Sequence, residues 1–182
     1  MDFALSPEQR QIRDTVSSFI DEEVVPRAGK IDRTDEFPAD LVADLGELGF
    51  MGMPFPEEYE GAGLDYISYA LALAEISRGS GGLGTVVAAH TSLAGNMLYA
   101  FGDEAQKDEY LAPLNTGAEV GAFALSEAGA GSDVPAMETT AARDGDGYVL
   151  DGEKLWISNG SVADTVVVFA KTDPDAGRDG IS

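Results

Sequence analysis

The sequence predicts an α+β fold, in which an N-terminal all-α helical domain is followed by an incomplete antiparallel β-barrel or sandwich domain. Two observations lead to this prediction. Apolar residues recur at helical spacing up to about residue 118, and short extended runs bounded by glycine replace them from about Glu119. The sequence stops at Gly180-Ile181-Ser182 without a closing strand, so the second domain is expected to be interrupted. We place the two domains at residues 1–118 and 119–182.

The first two helices are recognised from their ends. Ser6-Pro-Glu-Gln9 has the pattern of a capping box with proline in the first turn, and an apolar stripe follows it. We expect Pro26 to stop this helix. A second helix follows Pro38, and Gly49 is expected just beyond its end, where a left-handed conformation suits glycine. The stripe of the first helix consists of Ile12, Val16, Phe19, Ile20 and Val24.

Three further helices complete the predicted helical domain. Asp65 is expected to cap the third helix, whose residues 66–74 are apolar almost all round and should be buried on most sides. The fourth spans about Gly84 to Tyr99. Asp103 opens the fifth with another capping-box pattern, and Pro113 lies near its end.

Short runs rich in β-branched and aromatic residues predict the strands of the second domain. The turn signal Asp144-Gly-Asp-Gly147 separates two of these runs. The predicted extended segments are Val120 to Leu125, Thr139 to Arg143, Tyr148 to Leu150, Lys154 to Ser158 and Thr165 to Lys171.

The composition limits the classes of function. There are 33 acidic and 11 basic residues, which gives a net charge of −22 that repels nucleic acids and anionic membranes. The acidic residues are dispersed along the chain, which is typical of a solvated surface in a high-salt cytoplasm, so a halophilic source is our interpretation. Without cysteine the chain has no disulfide, thiol nucleophile or cysteine metal site. The sequence shows neither a signal-peptide pattern nor a membrane-spanning run, and a cytoplasmic location is expected.

Two segments near the domain junction have the composition of a binding site. Phe123-Ala-Leu-Ser-Glu-Ala-Gly-Ala-Gly-Ser-Asp133 is a strand that enters a glycine-rich bend, where backbone N–H groups can approach an anion closely. It lacks the features of a P-loop and of a dinucleotide fingerprint. Gly152-Glu-Lys-Leu-Trp-Ile-Ser-Asn-Gly160 contains the only tryptophan, Trp156. By composition alone, the first could be a simple connecting loop and the second could supply a core anchor.

Taken together, these segments resemble the acyl-CoA dehydrogenase family, and the resemblance covers essentially the whole chain. The segments of the family pattern occur in the family's order and approximate spacing. Ala128 is a departure, because proline is common at that position, and it should alter loop stiffness rather than chemistry. Besides the two segments above, the resemblance includes Gly49 to Tyr59, Gly61 to Asp65 and Phe101 to Lys107.

The resemblance implies a flavoprotein that uses FAD to convert acyl-CoA thioesters to trans-2-enoyl-CoA. A carboxylate removes the α-proton, hydride moves from the β-carbon to the flavin, and an electron-transferring flavoprotein accepts the electrons. The full protein is expected to be a homo-tetramer or homo-dimer. In most of the family the base is a glutamate of a C-terminal bundle that nothing here matches, so we assign no catalytic residue and expect an inactive N-terminal fragment.

The resemblance also assigns site residues by position. Backbone at Leu125 and the hydroxyl of Ser126 would face the flavin pyrimidine ring, and Gly131 and Ser132 would lie by the pyrophosphate, with Ser132 also reaching the acyl-CoA. Ser158 would bond near flavin N5. The complete set of predicted cofactor-binding residues is Phe123, Leu125, Ser126, Gly131, Ser132, Trp156, Ile157 and Ser158.

Other interpretations remain open from sequence. His90, the only histidine, could be a general base but is more typical of a satisfied helix residue beside the acyl pocket, and no metal site is expected. The chain could belong to a related flavin oxidase or monooxygenase of the same fold. It could also be a truncated gene product without catalytic function.

Overall fold

A computed structural model describes residues 4–182. Met1, Asp2 and Phe3, which begin the N-terminal segment without a signal-peptide pattern, lie outside the described residues. Helices occupy the first two thirds of the chain. They are α1 (Pro7–Phe19), α2 (Val25–Thr34), α3 (Ala39–Glu47), α4 (Tyr66–Gly79), α5 (Gly81–Ala88), α6 (Asn96–Phe101), α7 (Glu104–Gln106) and α8 (Ala112–Asn115). Three π-helical segments, Ile20–Val24, Ala89–Gly95 and Lys107–Leu111, join consecutive helices.

The predicted helix ends are confirmed at atomic detail. The side chain of Ser6 accepts a hydrogen bond from the backbone N–H of Gln9, at 3.1 Å, and completes a capping box. Asp65 caps α4, and Asp103 forms the second capping box at the start of α7. Gly49 has φ +77° just beyond α3, as expected for a glycine at this position.

The prediction that Pro26 stops the first helix is wrong. Helical structure continues through Pro26 to Thr34, because a π-helical turn immediately precedes the proline. The N–H of Val25 bonds to the carbonyl of Ile20, five residues back, and the same arrangement precedes Pro113, where the N–H of Ala112 bonds to Lys107. A proline lacks an N–H and its ring crowds the carbonyl four residues back. The wider turn accommodates both effects without ending the helix.

The helices enclose one main core. The predicted stripe of α1 is confirmed: Val16, Ile20 and Val24 are fully buried. They pack with residues of α3, α4 and α5. The prediction that α4 is buried on most sides is wrong, since Tyr66 and Ile67 are 63% and 56% exposed. The helices α1 and α5 pack against α4, while Ala70 and Ala74 are also exposed.

The second domain contains two small two-stranded sheets. Strands β2 (Thr140–Asp144) and β3 (Gly147–Asp151) form the predicted antiparallel hairpin, with Gly145 at φ +60° in the turn. Strands β1 (Gly121–Ala124) and β4 (Thr165–Val168) pair in parallel, which corrects the expectation of a purely antiparallel domain. Parallel pairing is possible because about 40 residues, including the hairpin, connect these two strands. The sheets are open, as the fold prediction required.

The predicted strand from Lys154 to Ser158 is absent. These residues form a loop, in which Trp156 and Asn159 have φ +60° and +65°. Such left-handed conformations are incompatible with an extended strand. The last α-helix ends at Asn115 and the first strand begins at Gly121, and the boundary after residue 118 stays a prediction. No helix within residues 4–182 is long and apolar enough to cross a membrane.

Candidate functional site

A pocket of about 210 Å³ lies where the helices meet the second domain. It brings together most of the residues that the sequence predicts to bind the cofactor, although they come from two separate segments. Two residues of the π-helical segment Ala89–Gly95 also line it. The lining consists of Ala89, Leu93, Phe123, Leu125, Ser126, Trp156, Ile157 and Ser158.

The chemistry of this pocket is neutral and accessible. Trp156 is 93% exposed, so one face of the indole is free to contact a ligand rather than serving as the core anchor that composition also allowed. The hydroxyls of Ser126 and Ser158 have no hydrogen-bond partner among the described residues, which leaves them available as donors. No lining residue has a titratable carboxylate, imidazole or amine. The pocket is therefore suited to binding a polar aromatic group, but its lining contains no acid or base.

Gly131 and Ser132 are not part of the pocket lining. Both are exposed, and they follow a tight turn in which Glu127 and Ala130 exchange two backbone hydrogen bonds. A Cβ placed on Gly129 or Gly131 would meet nothing within 4 Å, so the backbone here is open to an incoming group. The structure thus separates the two residues predicted to lie by the pyrophosphate from the other six residues predicted to bind the cofactor.

Asn159 holds the end of the Trp156 loop against the helices. Its side-chain amide donates to the carbonyls of Val86 and Gly121, each at 3.0 Å, and so joins α5 to β1. Its φ of +65° favours asparagine among the non-glycine residues. The amide oxygen is buried without a partner among the described residues. This arrangement fixes Ser158 and Ile157 beside the π-helical segment.

His90 joins the two domains and is not placed to act as a base. One ring nitrogen, Nδ1, accepts the N–H of Gly121 at 3.0 Å, so the proton lies on Nε2, which donates to the carbonyl of Leu114 at 3.0 Å. Burial lowers the pKa of the imidazole to about 4. Both nitrogens are occupied by backbone groups, which confirms the interpretation of a satisfied helix residue. A Cβ on Gly121 would lie 2.9 Å from Ala94, so this close approach requires glycine.

Glu127 is likewise fully engaged. Its carboxylate accepts the backbone N–H groups of Glu138 and Thr139 and forms an ion pair of 2.7 Å with Lys154. Burial raises the pKa of this carboxyl, but the Glu138 N–H, the Lys154 ammonium and the groups of Thr139 outweigh burial and lower the pKa to about 2. A carboxylate stabilised in this way is a poor proton acceptor.

The sequence analysis assigned no role to Asn159, Lys154 or Glu127. All three lie within the segments that were singled out, and a signal for each was present. An asparagine directly before glycine is typical of a left-handed position. Lys154 is one of few cations in an acidic chain, and Glu127 is the only charged residue between Phe123 and Ser132.

Two family models match the chain. The model described as "Acyl-CoA dehydrogenase, N-terminal domain" matches residues 6–118, and "Acyl-CoA dehydrogenase, middle domain" matches residues 122–182. A helical domain followed by small open sheets therefore corresponds to a known pair of domains. The chain belongs to the acyl-CoA dehydrogenase family.

Relatives and solved structures agree with this assignment. "Acyl-CoA dehydrogenase, short-chain specific" of Clostridium acetobutylicum is 46% identical over 100% of this chain and 48% of its own length. A structure described as the electron transferring flavoprotein of Acidaminococcus fermentans matches with TM-score 0.97 and 45% identity, over 100% of this chain and 48% of that one. A glutaryl-CoA dehydrogenase of Mycobacterium smegmatis in complex with FADH2 matches with TM-score 0.88 and 37% identity, over 93% and 44%. The chain spans about half the length of these proteins.

Proposed function

We propose that this chain provides the flavin-binding half of an FAD-dependent dehydrogenase that acts on acyl-CoA thioesters. The observation that supports it best is the pocket, which unites Phe123, Leu125 and Ser126 with residues 156–158 and with two residues of the helical domain, Ala89 and Leu93. FAD, when bound, would supply the hydride acceptor for the acyl β-carbon. The family membership and the relative named as bound to FADH2 support this choice of cofactor.

The residues of the pocket fit the isoalloxazine ring of a flavin. The free hydroxyls of Ser126 and Ser158 and the backbone of Leu125 would supply neutral hydrogen-bonding groups at the ring edge. Neutral donors stabilise electron density on a flavin without placing a competing charge there. The exposed indole of Trp156 would cover one ring face, which excludes water and orients the ring.

The remaining assignments extend the proposal beyond the pocket. Gly131 and Ser132 would hold the pyrophosphate, with Ser132 also contacting the acyl-CoA, since their loop is open to a ligand. An electron-transferring flavoprotein would accept the electrons, and the full enzyme would be a cytoplasmic homo-dimer or homo-tetramer. Because the chain covers 48% of a short-chain relative, we propose that the base lies in sequence outside these 182 residues.

Flavin binding should depend on Trp156. We expect the full-length protein to purify yellow, and Trp156→Ala to weaken FAD binding by about 0.5–1.5 kcal/mol or more, the range of an aromatic stacking contact. Trp156→Phe, which keeps an aromatic face, should retain most of the affinity. The measurement is a titration of the flavin-free protein with FAD, followed by flavin fluorescence.

A colourless full-length protein that binds no FAD in this titration would refute the flavin proposal. A related flavin oxidase is the competing function. It is recognised by rapid reoxidation of the substrate-reduced flavin by oxygen, whereas a dehydrogenase should pass its electrons to an artificial acceptor or an electron-transferring flavoprotein.

We also propose that the chain comes from a halophilic cytoplasm, on the basis of its net charge of −22. Raising KCl from 0.1 to 1 M shortens the Debye length from about 10 Å to about 3 Å, which should relieve repulsion between surface carboxylates. We expect the melting temperature to rise by about 2–8 °C, equivalent to 1–2 kcal/mol. An equal rise in a non-ionic osmolyte of the same osmolality would exclude screening as the cause.

A further inference from the structure

An ion pair that the proposed chemistry does not use lies beside the pocket. Nζ of Lys154 is 2.7 Å from Oε1 of Glu127, and the two side chains are only 10% and 7% exposed. Arg13–Asp14, Arg27–Asp40 and Arg78–Asp21, in contrast, join side chains that are 39–65% exposed. Taking two charges out of water costs free energy that their attraction rarely exceeds, so a buried pair is poor evidence of a stabilising role.

The hydrogen bonds of the pair connect three separate segments. Glu127 accepts the N–H groups of Glu138 and Thr139, directly before β2, while Lys154 donates to the carbonyl of Leu125 at 3.0 Å. The N–H of Leu155, the next residue after Lys154, bonds to the carbonyl of Ser126 at 2.9 Å. The pair therefore fixes the Leu125–Ser126 backbone against the start of the loop that contains Trp156.

Both segments contribute to the lining of the proposed flavin pocket. Leu125 and Ser126 belong to the first and Trp156, Ile157 and Ser158 to the second, while Ala89 and Leu93 complete the lining. Asn159 fastens the far end of the Trp156 loop to α5 and β1, but the near end depends on Lys154 and Leu155. Moving Lys154 would displace Trp156, two residues further along, while the helical core remained intact.

We propose that Glu127 and Lys154 are positioning residues, which hold the Trp156 loop at a fixed distance from Leu125 and Ser126 in the flavin pocket. The inference rests on the proposed flavin function, and neither residue is expected to touch the reacting atoms. It assigns to the pair a geometric role in ligand binding rather than a contribution to folding.

The test uses the full-length protein with Glu127→Gln, with Lys154→Met, or with both substitutions. The double variant replaces the ion pair by two uncharged side chains of similar size. Glu75→Gln, which breaks an ion pair with Arg78 on α4, is the matched control. Two quantities are measured on protein shown to be folded by circular dichroism. They are the Kd for FAD and, in the flavin-free protein, the rate of amide hydrogen exchange in the peptide that contains Leu155.

All three variants are expected to raise the Kd for FAD by about 10–100-fold, by analogy with the loss of affinity when groups that orient metal ligands are removed. Exchange at residues 152–158 should accelerate, and Glu75→Gln should change neither quantity. The double variant is the decisive one. It removes the unpaired buried charge and should recover stability, but its affinity for FAD should stay low.

An affinity in the double variant within twofold of the wild type would overturn the positioning role, because the single variants would then have acted through stability alone. The proposed function fails separately. If the wild type binds no FAD, the flavin proposal itself is refuted. Independently of FAD, unchanged hydrogen exchange at Leu155 in the variants would refute the anchoring of the loop by the ion pair.

Discussion

Residues 1–182 expressed alone are expected to show no dehydrogenase activity on any acyl-CoA. Removal of an α-proton needs a positioned base, and general base catalysis typically contributes about 10²–10⁴-fold. The residues that line the proposed flavin pocket include no titratable side chain. The exposure of Trp156 also leaves the pocket open to water, which weakens electrostatic stabilisation at the thioester.

Two candidate bases close to the pocket, His90 and Glu127, do not change this expectation. His90 has both ring nitrogens bonded to backbone groups and a pKa lowered to about 4 by burial. Although burial itself raises the pKa of Glu127, its three hydrogen-bonding partners lower it to about 2. Freeing either residue to accept a substrate proton would leave buried backbone groups without partners.

The assay supplies FAD and an artificial electron acceptor to the 182-residue chain, in high salt, with a panel of acyl-CoA chain lengths. The full-length protein under identical conditions is the positive control. Turnover of the short chain at a rate close to that of the control would show that the base lies within these residues. Glu127→Gln and His90→Gln would then identify which of them serves.

Local patterns predicted the fold well where the structure depends on neighbouring residues. The caps at Ser6, Asp65 and Asp103 each bond to the backbone N–H three residues further along, so the local sequence contains all that they need. Pro26 was misjudged because the rule that proline ends a helix assumes regular α-helical turns. The π-helical turn before it is a property of the backbone, and the residue types around it give no sign of it.

The site was predictable in its residue types but not in its anchors. Ser126, Trp156 and Ser158 could be placed by resemblance, and they do meet in one pocket. The contacts that hold them in place span long stretches of chain, 27 residues from Lys154 to Glu127 and 73 from Asn159 to Val86. No periodicity or spacing rule relates residues so far apart, so only the folded backbone identifies these pairs.

Replacing His90 by leucine is expected to lower the free energy of unfolding by about 2–6 kcal/mol. The substitution leaves the carbonyl of Leu114 and the N–H of Gly121 buried without partners, and each such group costs about 1–3 kcal/mol. His90→Gln, which can restore one of the two bonds, should lose less. Urea unfolding at pH 7 measures the free energy of unfolding of the full-length wild type and of both variants.

The same residue should give the protein a characteristic pH dependence. His90 has a pKa of about 4 when folded against 6.5 in the unfolded chain, so the unfolded state binds the extra proton between these values. Stability is then complete above pH 6.5 and decreases as the pH falls towards 4, by up to about 3 kcal/mol at 1.36 kcal/mol per pKa unit. Glu127 contributes in a lower window, between pH 4.5 and about 2, and does not obscure the effect.

In His90→Leu and His90→Gln the decrease in stability between pH 6.5 and 4.5 should disappear. A decrease of the same size in both variants would assign it to other groups and remove the basis for treating His90 as the neutral bridge between the domains.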